Sequence, residues 1–85
     1  LMDIVPATFD GRVDTLFVAI DSERWGTYDP ESREVKLADG PTPDGHDLLD
    51  VAAIEALQRG ATVYAVPGDR IPGENGTGIA AIFRY

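Results

Sequence analysis

The fold is decided by residues 47–66, which read DLLDVAAIEALQRGATVYAV. Asp47 is a typical helix N-cap residue, and the positions after it predict a helix that runs to about Arg59. Gly60 follows as the residue that ends this helix. Residues 62–66 are rich in β-branched and apolar side chains, which predicts a strand. The stretch therefore predicts one helix followed directly by one strand.

The helix is expected to lie on a sheet through one apolar face. At about 100° per residue, the side chains that share this face are Leu49, Ala52, Ala53, Ala56 and Leu57. Val51 and Ile54 fall among the polar positions of the opposite face. A second surface is therefore expected over those two residues.

Another strand precedes this unit. Residues 1–12 are consistent with the end of a helix or with an irregular lead-in, where Pro6 suits a first helical turn and Gly11 the position after a helix end. Residues 13–20 are rich in β-branched side chains, and their apolar run over residues 16–20 is typical of a strand buried on both faces. The order strand, crossover helix, strand implies parallel neighbours. We expect an α/β layered domain on a mixed sheet, lacking one or more helices at its N-terminus.

The segment between the first strand and the helix predicts a hairpin and a loop. Residues 25–28 and 34–37 are the hairpin arms, and Pro30 suits the second position of the turn between them. Residues 38–46 are rich in Pro and Gly and predict a loop.

The long connection between the last two strands is the predicted partner-binding segment. Residues 67–78 lead into a closing strand over residues 79–85, whereas hairpin connections typically have about 2–5 residues. Long loops are often functional. We expect a partner surface formed by Arg70, Ile71 and Glu74, because Ile71 follows no helical or strand period that would bury it. A solvated turn is the alternative.

Composition restricts the class of protein. With 85 residues and a formal charge of −8, the chain is expected to be one acidic domain cut from a longer protein. Its hydrophobic content of 44% suffices for a core, which argues against disorder. The absence of cysteine excludes disulfides, thiolate metal sites and a cysteine nucleophile.

The distribution of charge disfavours direct binding of nucleic acid. Such binding depends on Lys and Arg that neutralise phosphates, usually in a basic patch. The basic residues of this chain are scattered along the sequence: Arg12, Arg24, Arg33, Lys36, Arg59, Arg70 and Arg84. The domain is therefore expected to bind neither DNA nor RNA by itself.

No catalytic pattern is present in the sequence. Ser22 and Ser32 lie in predicted turns, without the pattern of a nucleophile elbow. His46 precedes a helix cap and is expected to be exposed in a loop. Residues 73–78 are glycine-rich, but they lack a phosphate-loop motif and precede a strand instead of a helix. We therefore expect no enzyme activity and no cofactor.

The acidic cluster around His46 is the best candidate for a metal site. It contains Asp39, Asp44, Asp47 and Asp50. If Asp39 began a calcium-binding loop, the ligand positions three and five would be prolines. Asp47 and Asp50 are better explained by the partial positive charge of a helix N-terminus. We therefore expect no metal.

Three ordered segments resemble the C-terminal domain of archaeo-eukaryotic-type release factors, and more specifically that of the bacterial archaeo-eukaryotic release factor (baeRF) family. Residues 11–18, GRVDTLFV, are similar to the first strand of that domain. Residues 47–67 are similar to its helix and following strand, and residues 79–85, IAAIFRY, to its terminus. Together they suggest that residues 1–85 are a single C-terminal domain.

The resemblance implies an α/β/α sandwich, similar to the kink-turn-binding ribosomal proteins, in a cytoplasmic, translation-associated protein. In release factors this domain mainly docks a partner translation GTPase, while hydrolysis belongs to a Gly-Gly-Gln motif on a separate domain. No Gly-Gly-Gln occurs in this chain, so no catalytic residue is implied. The expected function is a non-catalytic interaction domain for a protein partner or the ribosome. A kink-turn-type RNA-binding module is the alternative.

Overall fold

The computed structural model describes residues 3–71 and 78–84. In chain order its elements are α1 (Ile4–Phe9), β1 (Val13–Ala19), β2 (Trp25–Asp29), β3 (Glu34–Leu37), β4 (His46–Asp47), α2 (Leu48–Gln58), β5 (Thr62–Val66), a 3-10 turn (Gly68–Arg70) and β6 (Ile79–Phe83). The protein therefore belongs broadly to the α/β class, as predicted.

Strands β5, β1 and β6 form one mixed sheet, named here the core sheet. β1 runs parallel to β5, where Leu16 pairs with Val63, and antiparallel to β6, where Leu16 pairs with Ala81. A parallel pair needs a long crossover connection, and α2 is part of it. The predicted strand, helix and strand unit on a mixed sheet is confirmed.

The predicted hairpin is present, but it does not join the core sheet. β2 pairs antiparallel with both β3 and β4, which gives a second sheet in the order β3-β2-β4, named here the side sheet. The domain therefore has a second sheet in addition to the expected mixed sheet. β4 lies at the end of the predicted loop, where His46 pairs with Gly26. The Leu48 N–H donates to the Arg24 carbonyl oxygen at 2.7 Å, so the side sheet is tied to the start of α2.

Both helices end in the same hydrogen-bonded motif. After α2, the N–H of Gly60 donates to the Leu57 carbonyl oxygen at 3.2 Å, and the N–H of Ala61 to the Ala56 carbonyl oxygen at 2.9 Å. This is the Schellman pattern, which requires a residue in the left-handed region just after the helix. Gly60 has a φ of 83°, and Gly11 after α1 has a φ of 74°. The predicted ends of both helices are confirmed.

Both helices build one hydrophobic core on the same side of the core sheet. The α1 helix lies against α2 as well as against β1. The buried side chains of the core are Val5, Ala7, Val13, Leu16, Val18, Val35, Leu48, Leu49, Ala52, Ala56, Ala61 and Ile79.

The buried face of α2 differs from the predicted face at Leu57 and Leu48. Leu49 and Ala56 are buried as predicted, and Ala53 is partly buried. The prediction for Leu57 is wrong, because its side chain is 60% exposed. Leu48 is buried instead. Since α1 and the side sheet cover α2 in addition to the core sheet, the buried face is turned towards Leu48 and away from Leu57.

The opposite face of the core sheet carries no α-helix of the described residues. The register places Phe17 between Tyr64 and Ala80 on this face. The rings of Phe17 and Tyr64 stack with their centroids 5.4 Å apart. Tyr64 and Ile82 nevertheless remain about half exposed. The described part of the chain therefore has one helical layer, on one side of the core sheet.

Candidate protein-binding site

A groove of about 430 Å³ lies between the side sheet and the face of α2 that points away from the core. We name it the Trp25 groove. Its lining residues are Glu23, Trp25, Gly45, His46, Asp47, Asp50, Val51 and Ile54. The groove therefore combines an aromatic ring, an apolar helix surface and three carboxylates.

Trp25 is positioned by the ladder between β2 and β4. It lies opposite Asp47 in the antiparallel register, so the two side chains leave the sheet on the same face. The indole Nε1–H of Trp25 donates to Glu23 Oε2 at 2.6 Å. This N–H is the only hydrogen-bonding group of the ring. The bond therefore satisfies the indole and places the Glu23 carboxylate beside it.

Asp47 serves the fold as a cap, as the sequence predicts. Its Oδ1 accepts the N–H groups of Leu49 and Arg24, both at 3.1 Å. The first bond satisfies a donor at the start of α2, and the second fixes the chain that enters β2. Glu23 and Asp50 are therefore the lining carboxylates that the helix cap does not use.

The helix side of the Trp25 groove is apolar. Val51 is partly buried and Ile54 is 57% exposed. Residues three apart are neighbours on a helix surface, so these side chains form a short apolar strip. The sequence pattern indicated this strip, because both residues fall among polar positions. Within the described chain no second surface covers Ile54.

Two of the predicted partner-binding residues, Arg70 and Ile71, do not line this groove. Arg70 is exposed at the end of the 3-10 turn. Ile71 is only 4% exposed, so the expectation that nothing buries it is wrong. The turn is held against the end of β1, where the Gly68 N–H donates to Asp21 Oδ1 at 3.1 Å. Glu74 lies outside the described residues.

His46 is exposed, as predicted, although it lies in β4 instead of a loop. Within residues 3–71 and 78–84, no group of three or more His, Asp or Glu side chains is arranged to hold a metal ion. Among the described residues, the lining of the Trp25 groove contains no hydroxyl side chain that His46 would activate.

Four of the seven basic residues converge at the end of the molecule where α2 finishes, although they are scattered in the sequence. Arg84 donates from Nη2 to the Arg59 carbonyl oxygen at 3.1 Å, and Arg12 and Arg33 line one cavity. The Arg12 guanidinium carbon lies 5.5 Å from the centre of the Phe83 ring. The pairing of β1 with β6 explains part of this, because Arg12 precedes β1 and Arg84 follows β6.

Two of these arginines are neutralised by ion pairs. Arg33 Nη1 lies 2.6 Å from Asp10 Oδ1, and Arg59 Nε lies 2.9 Å from Glu55 Oε2. The hydrogen bond that Arg33 donates to the Asp10 carboxylate raises the pKa of the Arg33 guanidinium above its ordinary value. Two of the four arginines at this end therefore meet carboxylates of the chain itself.

Comparison with known proteins assigns no family. No family model matches the chain, and no curated protein matches it. Among the described residues, no helix is long and apolar enough to cross a membrane.

Proposed function

We propose that this domain is a non-catalytic interaction module that docks a protein partner. The observation that carries the proposal is the Trp25 groove, which places an aromatic ring and the exposed side chain of Ile54 beside carboxylates. Aromatic anchors in a partly enclosed apolar site with a polar rim are typical of protein interfaces. A partner that covers Ile54 would remove apolar surface that the fold leaves in water.

The resemblance to release-factor C-terminal domains supports a cytoplasmic partner in translation, either a translation GTPase or the ribosome. The α/β/α sandwich that it implies would place a further helical layer on Tyr64 and Ile82, the open face of the core sheet. Arg70 and Glu74 remain proposed contacts of the connecting segment. Ile71 would anchor the start of that segment to the domain, because its side chain is buried.

Site-specific photo-crosslinking in cells that make this protein tests the docking function. A benzoylphenylalanine replaces Ile54 in one version and Glu31 in the control, where Glu31 is exposed in the turn between β2 and β3. Irradiation is expected to link the first version to one discrete protein and to leave the control unlinked. Equal crosslinking from both positions, or linkage from Ile54 to RNA alone, would contradict the proposal.

Kink-turn-type RNA binding is the second candidate. One observation favours it, namely the convergence of Arg12, Arg33, Arg59 and Arg84 at one end of the molecule. Against it stand the ion pairs of Arg33 and Arg59 and the formal charge of −8, because phosphate binding requires cations that the protein has not already neutralised.

A further inference from the structure

We propose that the Trp25 groove binds an arginine side chain of the partner, presented next to an apolar residue. The guanidinium would stack on Trp25 between Glu23 and Asp50, while the apolar neighbour would pack on Val51 and Ile54. This inference rests on the docking function proposed above and specifies the chemistry of the segment that docks.

The lining of the groove is unbalanced in charge. Glu23, Asp47 and Asp50 contribute three carboxylates, whereas no Lys or Arg of the described chain lines it. Asp47 already accepts two backbone N–H groups. The Nη1 of Arg24 donates to the carbonyl oxygen of Glu23 at 3.4 Å. A cation is the complement of the two remaining carboxylates.

The aromatic ring favours arginine over lysine. A guanidinium is planar, stacks on an indole face and donates in a fork that fits a carboxylate, whereas an ammonium is a compact, strongly hydrated charge. Trp25 already holds Glu23 Oε2 at 2.6 Å. The acceptor for the fork is therefore in place at the edge of the ring before the partner arrives, which lowers the ordering cost of binding.

The helix side sets the second requirement. Val51 and Ile54 are a short apolar strip at the wall of the groove, so an entirely polar basic segment would leave Ile54 unpaired. Leu57 lies on the same helix and is as exposed as Ile54, at 60% against 57%. It does not line the groove. Comparison of substitutions at Ile54 and Leu57 therefore separates the effect of contact in the groove from the effect of general exposure on α2.

Nuclear magnetic resonance titration of the 85-residue chain with two tripeptides tests the inference. One is acetyl-Leu-Arg-Leu-amide, and the other carries citrulline, which keeps the shape of arginine without its charge. The arginine peptide is expected to shift the Trp25 indole N–H and the Ile54 methyl signals, with a dissociation constant in the millimolar range because little area is buried. The citrulline peptide should bind about tenfold more weakly. Equal binding of both peptides, or an absence of shifts at Trp25, would overturn the inference.

Two matched sets of carboxylate substitutions locate the cation. Glu23→Gln combined with Asp50→Asn is expected to weaken the arginine peptide about tenfold. Glu31→Gln combined with Glu34→Gln removes the same charge from the hairpin of β2 and β3, outside the groove lining, and should leave the affinity unchanged. An equal loss in both variants would mean that the net charge attracts the peptide and would overturn the assignment to the groove.

The apolar wall is tested in the same way. Ile54→Ser is expected to weaken binding of the arginine peptide, because Ile54 lines the groove. Leu57→Ser should leave the affinity unchanged, because Leu57 does not line it. Equal effects of the two substitutions would contradict the proposed contact.

Failure of this inference and failure of the docking function have different signatures. If Ile54 crosslinks to a partner but the peptides do not distinguish arginine from citrulline, docking stands and the arginine site is wrong. If the peptides do distinguish them but no crosslink forms, the groove chemistry stands and the docking function is wrong. Broadening of the Trp25 signal as the chain alone is concentrated would identify a second copy as the occupant and would also overturn the inference.

Discussion

The leucine side chains of α2 lie in opposite environments, some buried and one exposed. Leu48 and Leu49 are 1% and 2% exposed, whereas Leu57 is 60% exposed. Burial of a leucine contributes about 1.5–3 kcal/mol relative to exposure. The first turn of α2 therefore anchors the helix to the core, and Leu57 contributes little to the free energy of unfolding.

Truncation of these leucines should show the difference directly. Leu49→Ala is expected to lower the free energy of unfolding by about 2–5 kcal/mol, because it removes buried methyl groups and leaves a cavity. Leu57→Ala should change it by less than about 0.5 kcal/mol, as is usual for an exposed position. Urea unfolding followed by circular dichroism measures both. A large loss on truncation of Leu57 would show that its side chain is buried in solution.

At the scale of the element, α2 has a local capping interaction at each end. Asp47 accepts from the Leu49 N–H at its start. Gly60, with a φ of 83°, allows the two closing hydrogen bonds at its end. A side chain at a left-handed position costs about 1–2 kcal/mol, because its Cβ approaches the following carbonyl oxygen.

Gly60→Ala should therefore destabilise the domain by about 1–2 kcal/mol, seen as a lower Tm in a thermal melt. Gly40→Ala is the matched control, since a Cβ at Gly40 meets no described atom within 4 Å and its φ lies outside the left-handed region. That substitution should leave Tm unchanged or raise it slightly, because alanine restricts the unfolded chain. Equal Tm values for both variants would contradict the proposed role of Gly60.

At the scale of the whole molecule, the charges are sorted along α2. The Trp25 groove places three carboxylates near the start of the helix, and four arginines gather near its end. Asp47 and Asp50 complement the helix dipole, which favours anions at the N-terminus. The arginine end contains Asp10 and Glu55 as ion-pair partners, so it does not amount to a large positive patch.

Binding of structured RNA should consequently be weak. Fluorescence anisotropy with a labelled kink-turn RNA is expected to give a dissociation constant above about 1 μM near 0.15 M salt. The reason is that a chain with a formal charge of −8 repels phosphates. Repeating the titration at lower salt provides the control for electrostatic attraction. Submicromolar, salt-sensitive binding would favour the RNA-binding candidate over protein docking.

Sequence alone determined the features that depend on neighbouring residues. The N-cap Asp47, the closing residue Gly60 and the strands that flank α2 all follow from local preferences, because backbone conformation and capping involve residues only a few positions apart. The parallel pairing of β1 with β5 also follows from sequence, since a crossover helix between two strands restricts their direction. The apolar strip of Val51 and Ile54 was visible as an interruption of the polar face.

Only the tertiary structure decided which surfaces meet. The pairing of Gly26 with His46 creates β4 and separates the side sheet from the core sheet, and no local pattern specifies a partner twenty residues away. Burial of Ile71 and exposure of Leu57 depend on which elements cover these side chains. The spacing of apolar residues along the sequence does not identify the element that packs against them. The Trp25 groove arises for the same reason: its walls come from separate segments that only long-range pairing brings together.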